Sequence, residues 1–372
     1  MAEYLSPGVY VEEYDNSPRA IEGVGTGTAG FVGMAVKGAA KGAPSLITSF
    51  AEFLREFGGY LSEFTHGGYR FLAGSVEQFF ANGGTRCYIA RVVAPGACAA
   101  SASKGIVHIR AANEGIWGNR IRIHIASSAK KKIQLLEKAG ENAYRAKNAD
   151  GFMEGDTVVF GTEYNRIASI FDDVITFAVP FTDDPVDAGL VPKKLLYLVE
   201  TDIQVRYGDE VEEYAGVSFN VASPDYIMHR LKKSELVSIS VEAADKYDNS
   251  VNQIFEDGRM SGDIVLAGGN DGSIGAVTAG TFIGADNGPG SRSGIQAFIE
   301  NDQVSMLAVT GITIPDVIVS LVSHCENLKN RFAVLDMPED YVKTKELLEY
   351  RGMVDSTYAA MYHPWIQVYD RS

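Results

Sequence analysis

The chain has 372 residues, of which 46% are hydrophobic and 22% charged, the balance of a folded globular protein with room for two or three domains. Its net charge of −15 sits mostly between Gly151 and Met260, where 21 acidic residues face 9 basic ones, which excludes a nucleic-acid surface of clustered Lys and Arg. No apolar run approaches the about 20 residues of a membrane helix, no secretory leader is visible, and Cys87, Cys98 and Cys325 are too few and too scattered for a disulfide framework or a zinc site. The cysteines read as small buried hydrophobes in a chain that folds in a cytoplasm.

In chain order, Pro7 and Gly8 punctuate the start, and Val9, Tyr10, Val11 and Tyr14 favour an extended strand. Asp15–Arg19 is a turn or linker, and the glycines of 23–27 form a hinge without the spacing of a dinucleotide loop. That strand has no hairpin partner in sequence, so it is either a frayed terminus or edge strand on its own domain, or a strand whose backbone groups pair with the sheet of another molecule. A buried strand is predicted over 30–36. Ser49-Phe-Ala-Glu52 is a capping box for a helix with Phe50, Phe53, Leu54 and Phe57 on its apolar face, ended by Gly58-Gly59. A second helix spans 69–81, and Arg86–Val93 returns as a strand, giving a mixed α/β layer.

After Pro95 the pattern changes. Ala97–Lys104 is small and polar, as in a linker, and is followed by period-two strands over 107–110 and 121–125. Further strands are expected over 157–161, 174–179, 195–199 and 203–207, with a helical stretch over 130–146 and a turn near 224–231. The α/β rhythm resumes with a strand over 263–267, the glycine turn Gly268–Gly272, a helix over 293–301 and a strand over 304–309. Pro315 opens a helix whose Val317, Ile318, Leu321, Val322, Cys325 and Leu328 make one stripe. A strand over 332–336, a helix over 342–350 and a last strand over 357–368 complete the chain. The fold class is therefore an α/β (α+β) core domain (26–104 and 256–372) interrupted by a β-rich domain (105–255), with residues 1–25 as arm and linker.

No chemistry-bearing motif stands out. The six histidines are scattered, no serine lies in a nucleophile elbow, and Leu266–Gly272 lacks the acidic ligand series of a calcium loop. Asp172-Asp173 and Asp183-Asp184 are paired carboxylates in turn contexts. Catalytic, cofactor and metal residues are expected to be absent.

An ordered series of segments is more specific. It comprises Leu5–Glu13, Ser49–Gly58, Phe79–Val92, Trp117–Ile123, Leu266–Gly272, Leu307–Thr313 and Tyr358–Asp370. In this order the chain resembles the tail sheath proteins of contractile bacteriophages, tailocins and related injection machines. The resemblance implies a structural subunit, not an enzyme, that polymerises as helical rings around an inner tube and contracts to drive the tube through an envelope. It implies a virion location after assembly in the host cytoplasm, with neighbouring sheath subunits, the tube protein, and baseplate and terminator proteins as partners, and neither nucleic acid nor membrane insertion. Tyr4, Leu5, Pro7, Gly8, Val9, Tyr10, Val11, Glu12, Glu13 and Tyr14 match the family's N-terminal arm, which adds a strand to a neighbour's sheet. Family members continue past the segment Tyr362–Ile366 into a C-terminal domain, so the chain is expected to be truncated and monomeric or weakly associated, with residues 1–20 poorly ordered. The alternative is an adhesin or receptor-binding tail component that uses the β-rich insert; a hydrolase on the α/β core lacks its nucleophile.

Overall fold

The computed structural model describes residues 27–104, 107–128, 130–186, 195–241, 261–369 and 371. The arm, residues 4–14, lies outside them. The first α/β stretch follows the sequence closely. Strand β1 (Ala29–Met34) is buried at every position, as expected of a central parallel strand. After β2 (Ser45–Ile47) comes α1 (Phe50–Phe57), where Ser49 Oγ accepts from Glu52 N. The Glu52 carboxylate closes the cap one residue earlier than the box predicts, accepting from the Thr48 amide (2.8 Å) and hydroxyl (2.7 Å). Phe53 and Phe57 are buried, whereas Leu54 turns out to solvent. A short α2 (Glu63–His66) and a 3₁₀ turn precede α3 (Leu72–Ala81), which therefore starts later than predicted, and β3 (Cys87–Val92) follows.

The β-rich part holds β4 (Ser101–Lys104), β5 (Val107–Ala111), β6 (Arg122–Ser127), β7 (Lys132–Lys138), β8 (Ala143–Ala146), β9 (Thr157–Phe160), β10 (Glu163–Phe171), β11 (Val174–Phe177), β12 (Leu195–Leu198), β13 (Glu200–Tyr207) and β14 (Glu210–Ser218). The one-turn α4 (Ile227–Arg230), β15 (Val237–Val241) and β16 (Ser261–Val265) complete it. Two sheets, β15-β5-β4 and β14-β13-β6-β16, enclose a core that includes Trp117, Ile121, Ile123, Ile125 and Val205. Strands β7 to β12 close separately into a six-stranded antiparallel barrel, in the order β10-β11-β8-β7-β12-β9, around Leu135, Tyr144, Ile167, Ile175 and Phe177.

Three expectations are corrected here. Residues 130–146 are not helical: Ile133 and Leu135 alternate inward on β7, and barrel closure outweighs the helix propensity of Lys, Leu and Glu. The supposed linker 97–104 contains β4, with Ala100 fully buried. The strand expected to restart the α/β rhythm, β16, instead pairs antiparallel with β6. Asp172 and Asp173 are the turn of the β10–β11 hairpin, both at positive φ (48° and 60°), as a two-residue primed turn requires.

The chain then forms α5 (Ala279–Ile283), β17 (Met306–Val309), α6 (Pro315–Leu328), β18 (Phe332–Asp336), α7 (Thr344–Arg351) and β19 (Ala359–Tyr362). The segment 293–301 holds only the 3₁₀ turn Gly294–Phe298, whose first residue, Gly294, sits at φ 56°, outside the right-handed helical region. The last strand stops at Tyr362, ahead of Pro364, which has no N–H to donate. The core sheet has the order β19-β18-β17-β1-β3-β2, parallel throughout except for β2. Phe31 joins the cluster with Phe53, Phe57 and Leu72 on one face, and Val32 joins Leu307, Ile318 and Leu321 on the other. This is a doubly wound sheet: the chain leaves β1 toward β3, then returns to β17 on the opposite side.

Candidate interaction surfaces and the core–insert seam

In an open parallel sheet the place for a ligand is the crevice at the strand C-termini where the winding reverses. Here that point lies between β1 and β17, beneath the loops 35–38 and 310–313. Protein fills the β1 side. Arg91, 3% exposed, donates from Nε to the Ala35 carbonyl (3.0 Å), from Nη1 to that of Gly38 (2.7 Å) and from Nη2 to that of Glu114 in the insert (2.9 Å). Burial lowers its pKa to about 10, which leaves the guanidinium charged at neutral pH. The Gly38 amide donates to Asn113 Oδ1 (2.9 Å). Next to it Lys37, 7% exposed, reaches into the insert: its Nζ is 2.9 Å from Glu210 Oε2, 5.1 Å from the Tyr207 ring centre and 5.8 Å from that of Trp117. The two rings meet edge to face at 5.2 Å.

The glycine turn 268–272 belongs to the same seam. Asn119 Nδ2 donates to the Gly269 carbonyl (2.9 Å), and the Gly269 amide donates back to Asn119 Oδ1 (2.7 Å). Asp271 Oδ1 accepts from the Ile116 amide (2.8 Å), so its carboxylate serves a backbone donor. Cys98 and Asn270 exchange amide–carbonyl bonds of 2.9 and 3.0 Å. Sequence reading missed Lys37, Arg91, Tyr207 and Glu210. The available signal was two cations beside the buried strands β1 and β3, which is rare unless a partner arrives from elsewhere.

A groove of about 490 Å³ lies between α3 and the segment after β19, with Tyr60, Phe71, Asp336 and Trp365 in its walls. Trp365 Nε1 donates to the Met337 carbonyl (2.6 Å), and its ring meets Phe71 edge-on at 5.0 Å. Asp336 accepts from the Gly311 amide (2.8 Å), and burial raises its pKa. Beyond Trp365, Ile366, Val368 and Tyr369 are 84%, 68% and 87% exposed. At the sheet ends, β14 carries Glu210, Glu212 and Glu213 along its edge, while β15 presents the uncharged Val237-Ser-Ile-Ser-Val241.

The other candidate residues are not brought together. His324 is buried on α6, where Nε2 accepts from Arg331 Nη1 (3.3 Å), and burial and that cation lower its pKa to about 4. Burial lifts the Cys87 and Cys325 thiols to about 12 and about 11, as for inert core residues. Among the described residues no group of three or more His, Cys, Asp or Glu is placed to hold a metal ion, and no helix is long and apolar enough to cross a membrane.

No protein-family model and no curated protein matches the chain. Among solved structures it is similar to the crystal structure of a sheath tail protein from Listeria innocua, with 14% identity over 85% of this chain and 49% of that one and a TM-score of 0.42. It is similar also to a sheath tail protein from Desulfitobacterium hafniense, with 12% identity over 96% of this chain and 56% of that one and a TM-score of 0.43. The chain spans about half the length of these two structures. Likeness of this degree does not bear on what the chain does.

Proposed function

We propose that the chain is a structural subunit of a contractile tail sheath, which joins neighbouring copies through its N-terminal arm and encloses a tail tube between baseplate and terminator. The observation that carries this reading is the spatial grouping of the segments on which the sequence resemblance rests. Apart from Leu5–Glu13, they fall on the core sheet, its seam and the start of β6: α1, the α3–β3 return, the Trp117 turn leading into β6, the Leu266–Gly272 loop, β17 with its turn, and β19 with its tail. The barrel contributes none. A resemblance confined to one contiguous part of the molecule fits a shared scaffold bearing a variable outer module.

In this reading the subunit works without catalysis, which is supported by the filling of the β1 side of the crevice by Arg91 and the insert. Strand pairing through leashed arms would let globular bodies rotate while their hydrogen-bonded links persist. No nucleotide is needed if the extended array is metastable and the contracted one buries more surface.

The test is a photo-crosslinking residue in place of Tyr10, introduced into the intact assembled particle. Crosslinks to neighbouring subunits are expected. Crosslinks confined to the same polypeptide would overturn the reading, as would particles in which this chain surrounds no tube.

A further inference from the structure

Among the described residues the polypeptide passes between core and insert twice, through residues 93–100 and 266–273. A two-strand passage is ordinarily a hinge, and independent domain motion is the default unless the contact is extensive. Here the two passing strands are bonded to each other. Cys98 pairs with Asn270, and Ser101 exchanges backbone bonds of 2.8 and 3.1 Å with Ala267. Such a ladder alone would still allow the insert to swing about it.

A further set of contacts, whose Lys37, Tyr207 and Glu210 are remote in sequence from both passages, removes that freedom. It consists of Arg91 on the Glu114 carbonyl, Gly38 on Asn113, and Lys37 between Trp117, Tyr207 and Glu210. Its parts come from β3, the loop after β1, the 113–117 turn and the β13–β14 hairpin. Arg91 also ties the 35–38 loop to itself, and the Lys37 amide donates to the Phe57 carbonyl at the end of α1 (3.0 Å). The 113–117 turn is itself bonded to both passing strands, Gly115 N to the Cys98 carbonyl (3.1 Å) and Ile116 N to Asp271 Oδ1 (2.8 Å). The contact therefore runs unbroken from the ladder out to Glu210 and fixes an orientation where the ladder alone would leave a pivot.

We propose that this Lys37–Arg91 clasp makes the core and the two-sheet part of the insert a single cooperative unit with one relative orientation, in place of two hinged domains. The inference stands on the seam alone and holds whether or not the chain is a sheath subunit.

The chain carries its own reporters. In a Trp365→Phe background, Trp117 is the sole tryptophan and its fluorescence follows the insert's side of the seam. Cys87 and Cys325 are buried in the core, and pulsed thiol labelling follows their release in the same urea series; Cys98 is exposed and labels throughout. With the clasp intact, the two transitions are expected to coincide. In Lys37→Met with Asn113→Ala, the Trp117 midpoint is expected to fall by about 0.5–1 M urea while the cysteine midpoint holds. Separate midpoints in the unaltered clasp would overturn the proposal, and so would equal displacement of both midpoints in the variant. Each single substitution gives the same reading if the double variant does not fold.

Discussion

Replacing His324 with Gln should remove a defined part of the acid sensitivity of the core. The imidazole is 8% exposed and accepts from Arg331, so protonation would place two cations side by side without water. Its pKa falls from 6.5 to about 4, chiefly through burial and then through Arg331. Between those values the unfolded chain binds a proton that the folded chain refuses, so stability declines as pH falls. At 1.36 kcal/mol per pH unit the loss is negligible at pH 7, about 2 kcal/mol at pH 5 and about 3 kcal/mol at pH 4. Gln keeps an acceptor for Arg331 and cannot titrate. Asp156 and Asp336, whose pKa values burial raises, act in the opposite direction, but they are common to both proteins and cancel in the comparison. Urea unfolding at pH 7, 6, 5 and 4.5 should show His324→Gln starting at or below the parent and gaining on it by about 2 kcal/mol between pH 7 and pH 5. Parallel pH profiles would refute the account and place the buried histidine outside the acid response.

Thr310, 5% exposed, has a hydroxyl with no partner among the described residues, so Thr310→Val should leave stability unchanged or raise it by up to about 1 kcal/mol; a clear loss on calorimetry would reveal a partner for the oxygen. Phe53 is fully buried and stacked between Phe50 and Phe57, and Phe53→Ala should cost about 3–5 kcal/mol in urea; a cost under about 1 kcal/mol would contradict its place in the core. Lys329 ends α6 at φ 60°, where Lys329→Gly should add about 0.5–1 kcal/mol by relieving left-handed backbone, and a lower melting temperature would count against that cap. On the proposed strand pairing, Val11→Pro would take a ladder donor from the arm and should leave the melting temperature alone yet abolish incorporation into particles; normal particles would count against a strand there.

Elements whose cause is local could be read directly from the residues. The Ser49 cap, the Pro315 start and the 317–328 stripe each lie within a turn or two of the residues that produce them, and α1 and α6 follow. Error grew with sequence distance. Strand β4 has alternation too faint to notice, Ser-Ala-Ser-Lys, and exists because β5 lies beside it and Ala267 caps its start. Strand β7 carries a helix-prone composition that only closure against β8 and β12 overrides. The clasp was invisible for the same reason: Lys37 and Glu210 are 173 residues apart, and no periodicity connects them. The arm, singled out for its lack of a local partner, falls outside the described residues.

The nesting of the barrel has its own consequence. Strands β6 and β13 enter and leave it as direct neighbours, with Ser127 opposite Thr201 on the ladder. The barrel also rests on the sheets below: Val159 joins their core, and Asn220 Nδ2 donates to the Asp156 carboxylate (2.8 Å) and the Glu154 carbonyl (2.9 Å). A replacement that joins Ser127 to Thr201 would keep the ladder, but it would have to cover the surface on which Val159, Tyr164 and Tyr197 now pack. An engineered cargo grafted between those two residues would therefore need an apolar underside of its own to keep the sheets below intact.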